Sequence, residues 1–334
     1  MTSPRSQQID LSATPYYHVV SRCVRRAFLC GDDALSKRNF DHRRGWLVER
    51  FRRLCGVFAI DVAAFACMAN HYHLVLRVDR ERAGRWQDKD VIRRWRTLCS
   101  GAVEDPTDEQ ITVWRARLHD ISWFMKLLNE YISRRANAED DCKGRFWESR
   151  FKSQALLDTK ALLSAMAYVD LNPIRAGVAA TLLASDYTSI QERMVTHARA
   201  THARSTVAKQ KLAWDASTLP PLLAFNASRT RTTTTPSTLG PLPGSFADYV
   251  ALVEWTGRQQ RKNKRGSIPP NGPSALTQLG IDAHDWLDAL QRLRGGFASA
   301  VGDLTALTSW CQQRGRRWVK GMRRRTASRA VANA

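Results

Sequence analysis

The 334-residue chain predicts an α+β fold in its first half, followed by a mainly α-helical C-terminal extension. Three observations carry this: short apolar segments alternating with period two, longer segments with apolar residues at helical spacing between them, and the fading of both patterns beyond residue 195. Hydrophobic residues make up 43% of the chain, enough for a packed core, and the length suits one large or two modest domains. Fifty-two Lys plus Arg against 31 Asp plus Glu leave a formal charge of +21, which favours a polyanionic partner. With no evident amphipathic membrane anchor, nucleic acid is favoured over an anionic membrane.

A first strand is predicted over Tyr16–Val24, where Tyr16, His18 and Val20 alternate with Tyr17, Val19 and Ser21 behind the breaker Pro15. Phe40–Val57 reads as a helix through Trp46, Leu47, Phe51, Leu54 and Cys55. Two strands follow, Ala59–Met68 and His71–Val78, joined tightly at Ala69-Asn70. The stretch Asp79–His119 is less legible, with a helix near Val91–Cys99 and an acidic loop, Glu104–Glu109, that reads as part of an insertion at about 100–110. A helix over Ile121–Ala136, a fourth strand over Arg145–Leu156 and a helix over Thr159–Leu171, ended by Pro173, complete the series. The first six elements form the split βαβ, ferredoxin-like pattern, an antiparallel sheet with helices on one face.

Beyond this domain (1–195) the composition changes. Residues 196–245 contain the echo Thr196-His-Ala-Arg-Ala-Thr-His-Ala-Arg204 and the run Arg229–Pro236, which read as a flexible linker. A helical unit is expected over 246–334, through Tyr249–Trp255 and Trp286–Phe297, with a tail rich in arginine. The seven cysteines are scattered with no Cys-x-x-Cys pair, which excludes zinc-ribbon and thioredoxin-type chemistry. No run of about 18 uncharged apolar residues marks a membrane span, and the N-terminus lacks the apolar core of a secretory signal. A cytoplasmic protein is the expectation.

His71 and His73 are the most informative residues. In a strand, positions i and i+2 point the same way, so the two imidazoles stand side by side with Tyr72 on the opposite face. Neutral imidazole ligates many divalent metals, although most such pairs in strands are ordinary half-buried histidines. The helix over Thr159–Leu171 brings Tyr168 and Asn172, four apart and so on one face. A phenol can attack phosphorus and conserve the phosphodiester bond energy in a covalent intermediate. Its ordinary pKa of about 10 makes it weak near neutrality, and a metal polarising the phosphate offsets that. Asn172 offers an amide oxygen as third ligand; two nitrogens and one oxygen with open positions suit Mg²⁺ or Mn²⁺ better than structural zinc.

Asn70-His-Tyr-His-Leu-Val-Leu76 resembles the histidine–hydrophobic–histidine (HUH) motif of single-tyrosine transposases. Ala167-Tyr-Val-Asp-Leu-Asn-Pro-Ile-Arg-Ala-Gly177 resembles their tyrosine helix in the form found in REP-associated tyrosine transposases. Tyr17-His-Val-Val-Ser-Arg22 and Phe146-Trp-Glu-Ser-Arg-Phe-Lys-Ser153 agree, so four segments lie in register over Thr14–Val178. The sequence departs from the common pattern at Cys23 and Ser149, where glycine is usual. The resemblance implies a ferredoxin-like nuclease domain, Tyr168 as nucleophile, and Asn172 beside His71 and His73 as metal ligands. It also implies a substrate of single-stranded DNA next to a repetitive extragenic palindrome hairpin, cleaved to a 5′-phosphotyrosine and a free 3′-hydroxyl that can rejoin strands.

Tyr131 is a rival nucleophile with no Asn or Gln four residues on. His18 lies in the neighbouring strand, and Glu148 and Asp170 could assist proton transfer or the metal, though structural roles account for all three. Arg22, Arg25 and Arg26 after the first strand, and Arg145, Arg150 and Lys152 at the fourth, are candidate DNA-backbone contacts, with Arg150 and Lys152 on one strand face. Phe146 or Trp147 could stack on a base, with core packing as the default. Two other functions fit the same residues: a hairpin-binding regulator that does not cut, and a metal-dependent hydrolase using water. Monomer and homodimer are both compatible, because a tyrosine helix can serve its own subunit or a partner.

Overall fold

Alternating side chains in the long strands give the molecule a sheet with two chemically different faces. The computed structural model describes residues 8–24, 29–32, 37–99, 104–226, 242–259, 276–277, 281–294, 298–320 and 322. In chain order the elements are β1 (Tyr16–Arg22), α1 (His42–Val57), β2 (Ile60–Cys67), β3 (His71–Val78), α2 (Arg80–Arg85), α3 (Asp88–Arg96), α4 (Asp108–Arg117) and α5 (Ile121–Glu139). Then follow β4 (Lys152–Leu156), α6 (Thr159–Asp170), α7 (Asn172–Arg175), α8 (Ser189–Thr201), α9 (Phe246–Gln259), α10 (Ala283–Arg294), β5 (Ala300–Val301) and α11 (Leu304–Gln312). The sheet order is β2-β3-β1-β4-β5. Each neighbouring pair among the first four strands is antiparallel, whereas β5 pairs parallel with β4. Mixed α and β structure around one sheet agrees with the predicted class; the expectation of a purely antiparallel sheet is corrected by β5.

On one face Tyr17, Val19, Phe65, Tyr72, Leu74 and Leu76 pack against α1 and α5, which contribute Leu47, Phe51, Phe124 and Leu128. Phe51 meets Phe65 at 5.1 Å between ring centroids, and Phe58 meets Phe124 edge-on at 5.5 Å. The other face is covered by α6, with α9 and α10 behind it, through Ala64, Ala66, Val75, Ala161, Ala165 and Trp286. Helices on one face alone is therefore corrected: the first two long helices share a face, and α6 takes the other. Small residues on both sides let α6 approach closely. A register shift between Val62 and Ala64 keeps Phe65 on the α1 face while Ala64 and Ala66 face α6.

The acidic segment departs from its expectation in a way the sequence explains. Thr107 accepts from the Gln110 backbone N–H while the Gln110 side chain accepts from Thr107 N–H, a capping box that opens α4, so Asp108 and Glu109 form a first helical turn rather than a loop. Helix α4 then packs by stacking Trp114 on Trp95 of α3, 5.4 Å apart and 8° from parallel. Strand β4 begins at Lys152, not Arg145: residues 145–151 cross the end of β1 with only an isolated bridge, Cys23 to Trp147. Pro173 does not end the helix; Leu171 caps α6, and Pro173 sits in the first turn of α7, where its missing N–H costs nothing.

The linker expected over 196–245 is corrected for its first part. Helix α8 runs to Thr201, Trp214 is buried and stacked on Tyr187 at 5.3 Å, and Leu223 N–H donates to Val62 O at 2.9 Å. Arg52 of α1, fully buried, binds both Glu192 oxygens at 2.7 and 2.8 Å and Pro220 O at 2.6 Å. Together with Tyr187 and Ser189, this segment satisfies the otherwise open edge of β2. Residues 227–241 lie outside the described residues. None of the seven cysteines, all among the described residues, forms a disulfide. No described helix is long and apolar enough to cross a membrane.

Candidate functional site

Cross-strand register builds the site on the α6 face of the sheet. Val20 of β1 stands between Lys152 of β4 and His73 of β3, Arg22 stands opposite His71, and His18 stands between Gln154 and Val75. Period two puts His18, Val20, Arg22, His71, His73, Lys152 and Gln154 on one face. The i, i+2 pairing of His71 and His73 is as the sequence reading has it, with ring centroids 4.8 Å apart. Tyr72 points the other way and donates to Asn129 Oδ1 at 2.6 Å.

Both histidines are tied at Nδ1. His71 Nδ1 contacts Asn70 Oδ1 at 2.6 Å, and His73 Nδ1 contacts His18 Nε2 at 2.9 Å; His18 Nδ1 in turn contacts Gln154 Oε1 at 3.0 Å. Burial disfavours the charged imidazolium, pushing His18 and His71 down to about 4, the latter also through the Arg22 charge. The same desolvation, with the charges of His18 and His71, holds His73 well below its ordinary value. All three rings are neutral near pH 7. His73 Nε2 is buried without a hydrogen-bond partner. A bare, desolvated imidazole nitrogen beside a second one is what a divalent metal requires, so this pair fits such an ion.

Tyr168 comes down from α6 onto this pair. Its ring meets His73 edge-on at 5.7 Å and His18 at 6.0 Å. The Arg175 guanidinium, one element further along, lies 5.0 Å from the centre of the Tyr168 ring. The space between is an open pocket of about 310 Å³, walled by His18, Arg22, His71, His73, Glu148 and Tyr168 among others. Arg150 and Lys152 line its rim and Leu293 of α10 closes one side. The exposed lining carries three cations, Arg22, Arg150 and Lys152, against one carboxylate, Glu148, and imidazole and phenol lie deeper, a distribution suited to a phosphodiester.

Of the site residues proposed from sequence, the structure brings His71, His73, Tyr168, Arg22, Arg150 and Lys152 to one pocket. Arg150 reaches it from a bend before β4, so the shared strand face with Lys152 is corrected. Arg145 is exposed and does not line the pocket. Arg25 and Arg26 lie outside the described residues. Asn172 is not part of the pocket wall; its Nδ2 donates to Tyr168 O at 3.1 Å, which leaves its Oδ1, the atom proposed as a ligand, outside that bond. Among the described residues no group of three His, Cys, Asp or Glu side chains is placed to hold a metal, so a site here depends on the two imidazoles and on non-acidic or substrate ligands. Tyr131 takes an Arg135 hydrogen bond at 2.8 Å on α5, across the sheet. Trp147 donates to Asn129 O at 2.9 Å and packs on Tyr72, and Phe146 is buried, so neither faces the pocket.

Gln154, Arg175 and Leu293 were not singled out by sequence reasoning. Arg175 had a signal, since seven residues from Tyr168 returns to the same helical face. Gln154 and Leu293 had none, because only the β1–β4 register and the packing of α10 bring them in.

No protein-family model and no curated protein matches the chain. Among solved structures, the chain is similar to one described as "Structure of the REP associates tyrosine transposase bound to a REP hairpin", at 11% identity and a TM-score of 0.34, over 63% of this chain and 93% of that one.

Proposed function

We propose that the chain is a metal-dependent DNA transposase or endonuclease of the single-tyrosine HUH type. It cleaves and rejoins single-stranded DNA at palindromic repeat hairpins through a 5′-phosphotyrosine on Tyr168. The observation that carries the reading is the approach of Tyr168 to His73, 5.7 Å between rings, at a pocket where a buried imidazole nitrogen lacks a partner. The four sequence segments that resemble REP-associated tyrosine transposases support the same reading, and the split βαβ order of the N-terminal elements is compatible with a ferredoxin-like nuclease core.

In this reading Arg22, Arg150 and Lys152 draw the DNA backbone across the pocket mouth and orient it. The Tyr168 oxygen attacks phosphorus, the P–O3′ bond breaks, and the departing 3′ oxygen takes up a proton. The reverse attack by a 3′-hydroxyl on the phosphotyrosine rejoins strands. Mg²⁺ or Mn²⁺ held by His71 and His73, with Asn172 as third ligand, would supply Lewis-acid polarisation of the scissile phosphate. Leu293 and the buried sheet face give the phenol and imidazoles an apolar flank on one side.

Incubating the full chain with labelled single-stranded hairpin DNA and Mn²⁺ should give a denaturation-resistant protein–DNA adduct. Tyr168→Phe should abolish the adduct and retain hairpin binding, and His71→Ala should abolish cleavage. Cleavage that survives Tyr168→Phe points to water-mediated hydrolysis. Hairpin binding with no cleavage under any divalent metal points to a regulatory protein.

A further inference from the structure

We propose that His18 and Gln154 are positioning residues: they hold the proton of His73 on Nδ1, so that its bare Nε2 is presented to a divalent cation. This rests on the metal-dependent reading above, and it adds two residues with no direct part in ligation or attack.

The argument follows the hydrogen bonds outward from the amide. Gln154 Oε1 can only accept, so His18 Nδ1, 3.0 Å away, must donate. His18 is 1% exposed, and a neutral ring carries one N–H, so its Nε2 is a lone pair. The atom facing that lone pair at 2.9 Å is His73 Nδ1, which must therefore be the protonated nitrogen. The other His73 nitrogen, Nε2, is then bare, and it is the buried atom without a partner. The opposite tautomer of His73 would set two lone pairs against each other at that 2.9 Å contact.

Asn70 Oδ1 makes the same demand on His71 Nδ1 at 2.6 Å, so both histidines expose the same nitrogen. Coincidence in one ring is unremarkable; agreement between two rings through unrelated partners indicates a built donor pair. The relay also runs across three hydrogen-bonded strands, Gln154 and His18 being direct cross-strand neighbours, and rigid elements hold such geometry better than loops. Outer partners of metal-binding histidines fix tautomer and ring orientation in this way.

The test uses the full chain labelled with ¹⁵N-histidine and free of metal. Two-bond ¹H–¹⁵N correlation spectra report which nitrogen of His73 carries the proton, and Mn²⁺ affinity is read separately from the electron paramagnetic resonance of the free ion. The wild type should show His73 protonated on Nδ1. His18→Phe should convert it to a mixture and weaken Mn²⁺ binding by about ten- to a hundred-fold. His18→Gln, whose amide oxygen can accept from His73, should restore most of the affinity, which a purely structural role would not predict. Gln154→Met, which removes only the distal acceptor, should shift the tautomer without loss of fold. A His73 proton on Nε2 in the wild type, or a tautomer unchanged by His18→Phe, overturns the relay. A wild type with the expected tautomer that holds no Mn²⁺ overturns the metal reading of the site, and with it the purpose assigned to the relay.

Discussion

Asp170, two residues beyond Tyr168, attaches the tyrosine helix to the rest of the chain. Its carboxylate is fully buried and accepts from Ser189 Oγ at 2.5 Å, Ile190 N at 3.1 Å and Tyr249 OH at 2.6 Å. One side chain therefore ties α6 to the first turn of α8 and to α9. Removing it leaves three buried donors unmatched, so Asp170→Ala should destabilise the protein by about 3 kcal/mol, measured by urea unfolding. A loss under about 1 kcal/mol would show that the donors find other partners. The sequence offered Asp170 as an aid to proton transfer or the metal, with a structural role as the default; its three contacts come from 19 to 79 residues away and leave no local mark of which partners it holds. By contrast His71, His73 and Tyr168 were legible. Strand periodicity fixes the two histidines relative to each other, and a recognisable motif surrounds each. The role of His18 was not legible, because it depends on which residue β4 sets beside it.

At the level of elements, the distance between phenol and imidazole is set by how closely α6 lies on the sheet. Ala165 is one turn before Tyr168 and fully buried, in the cluster that includes Ala64 and Ala66 of β2. Ala165→Leu should cost about 1–3 kcal/mol through overpacking. It should also slow adduct formation, by lifting Tyr168 away from His73, more than it weakens hairpin binding; equal losses in both would contradict this spacing role. Helices α3 and α4 extend the α1–α5 side of the core through Val91, Ile111 and Trp114, and the Trp95–Trp114 stack holds them together. Trp114→Ala should destabilise by about 3–5 kcal/mol, with hydrogen exchange rising first in residues 108–117 while β1 and β3 stay protected. Early exchange throughout the sheet would mean that the Trp95–Trp114 stack supports the whole core rather than its own helices. The start of α4 is written in Thr107-Asp-Glu-Gln110 as a capping box, within an acidic run whose composition equally suits a loop. The start of β4 was not readable, since aromatic residues at 146, 147 and 151 imitate a strand while the chain is crossing the sheet end.

For the whole molecule, charge and chain order matter most. With +21 overall and Arg22, Arg150 and Lys152 at one pocket mouth, hairpin affinity should fall steeply with salt. In fluorescence anisotropy across a KCl series, the double variant Arg150→Ala/Lys152→Ala should reduce the log–log slope by about one to two. An unchanged slope would put the DNA elsewhere. Composition forecast this charge but not the placement of the C-terminal elements, because β5 has only two residues and α10 presents its apolar side to α6 rather than to a core of its own.

Leu293 has a temporal meaning as well. It closes a pocket whose histidines lie more than two hundred positions earlier, and β5 pairs with a strand about as distant as the length of a small domain. Ribosomal synthesis delivers these parts in order, so a nascent chain holds imidazoles, phenol and cationic residues before it holds Leu293. Closing such a long loop spends entropy before any contact repays it. Leu293 therefore joins the pocket after its imidazoles and phenol are already in the growing chain.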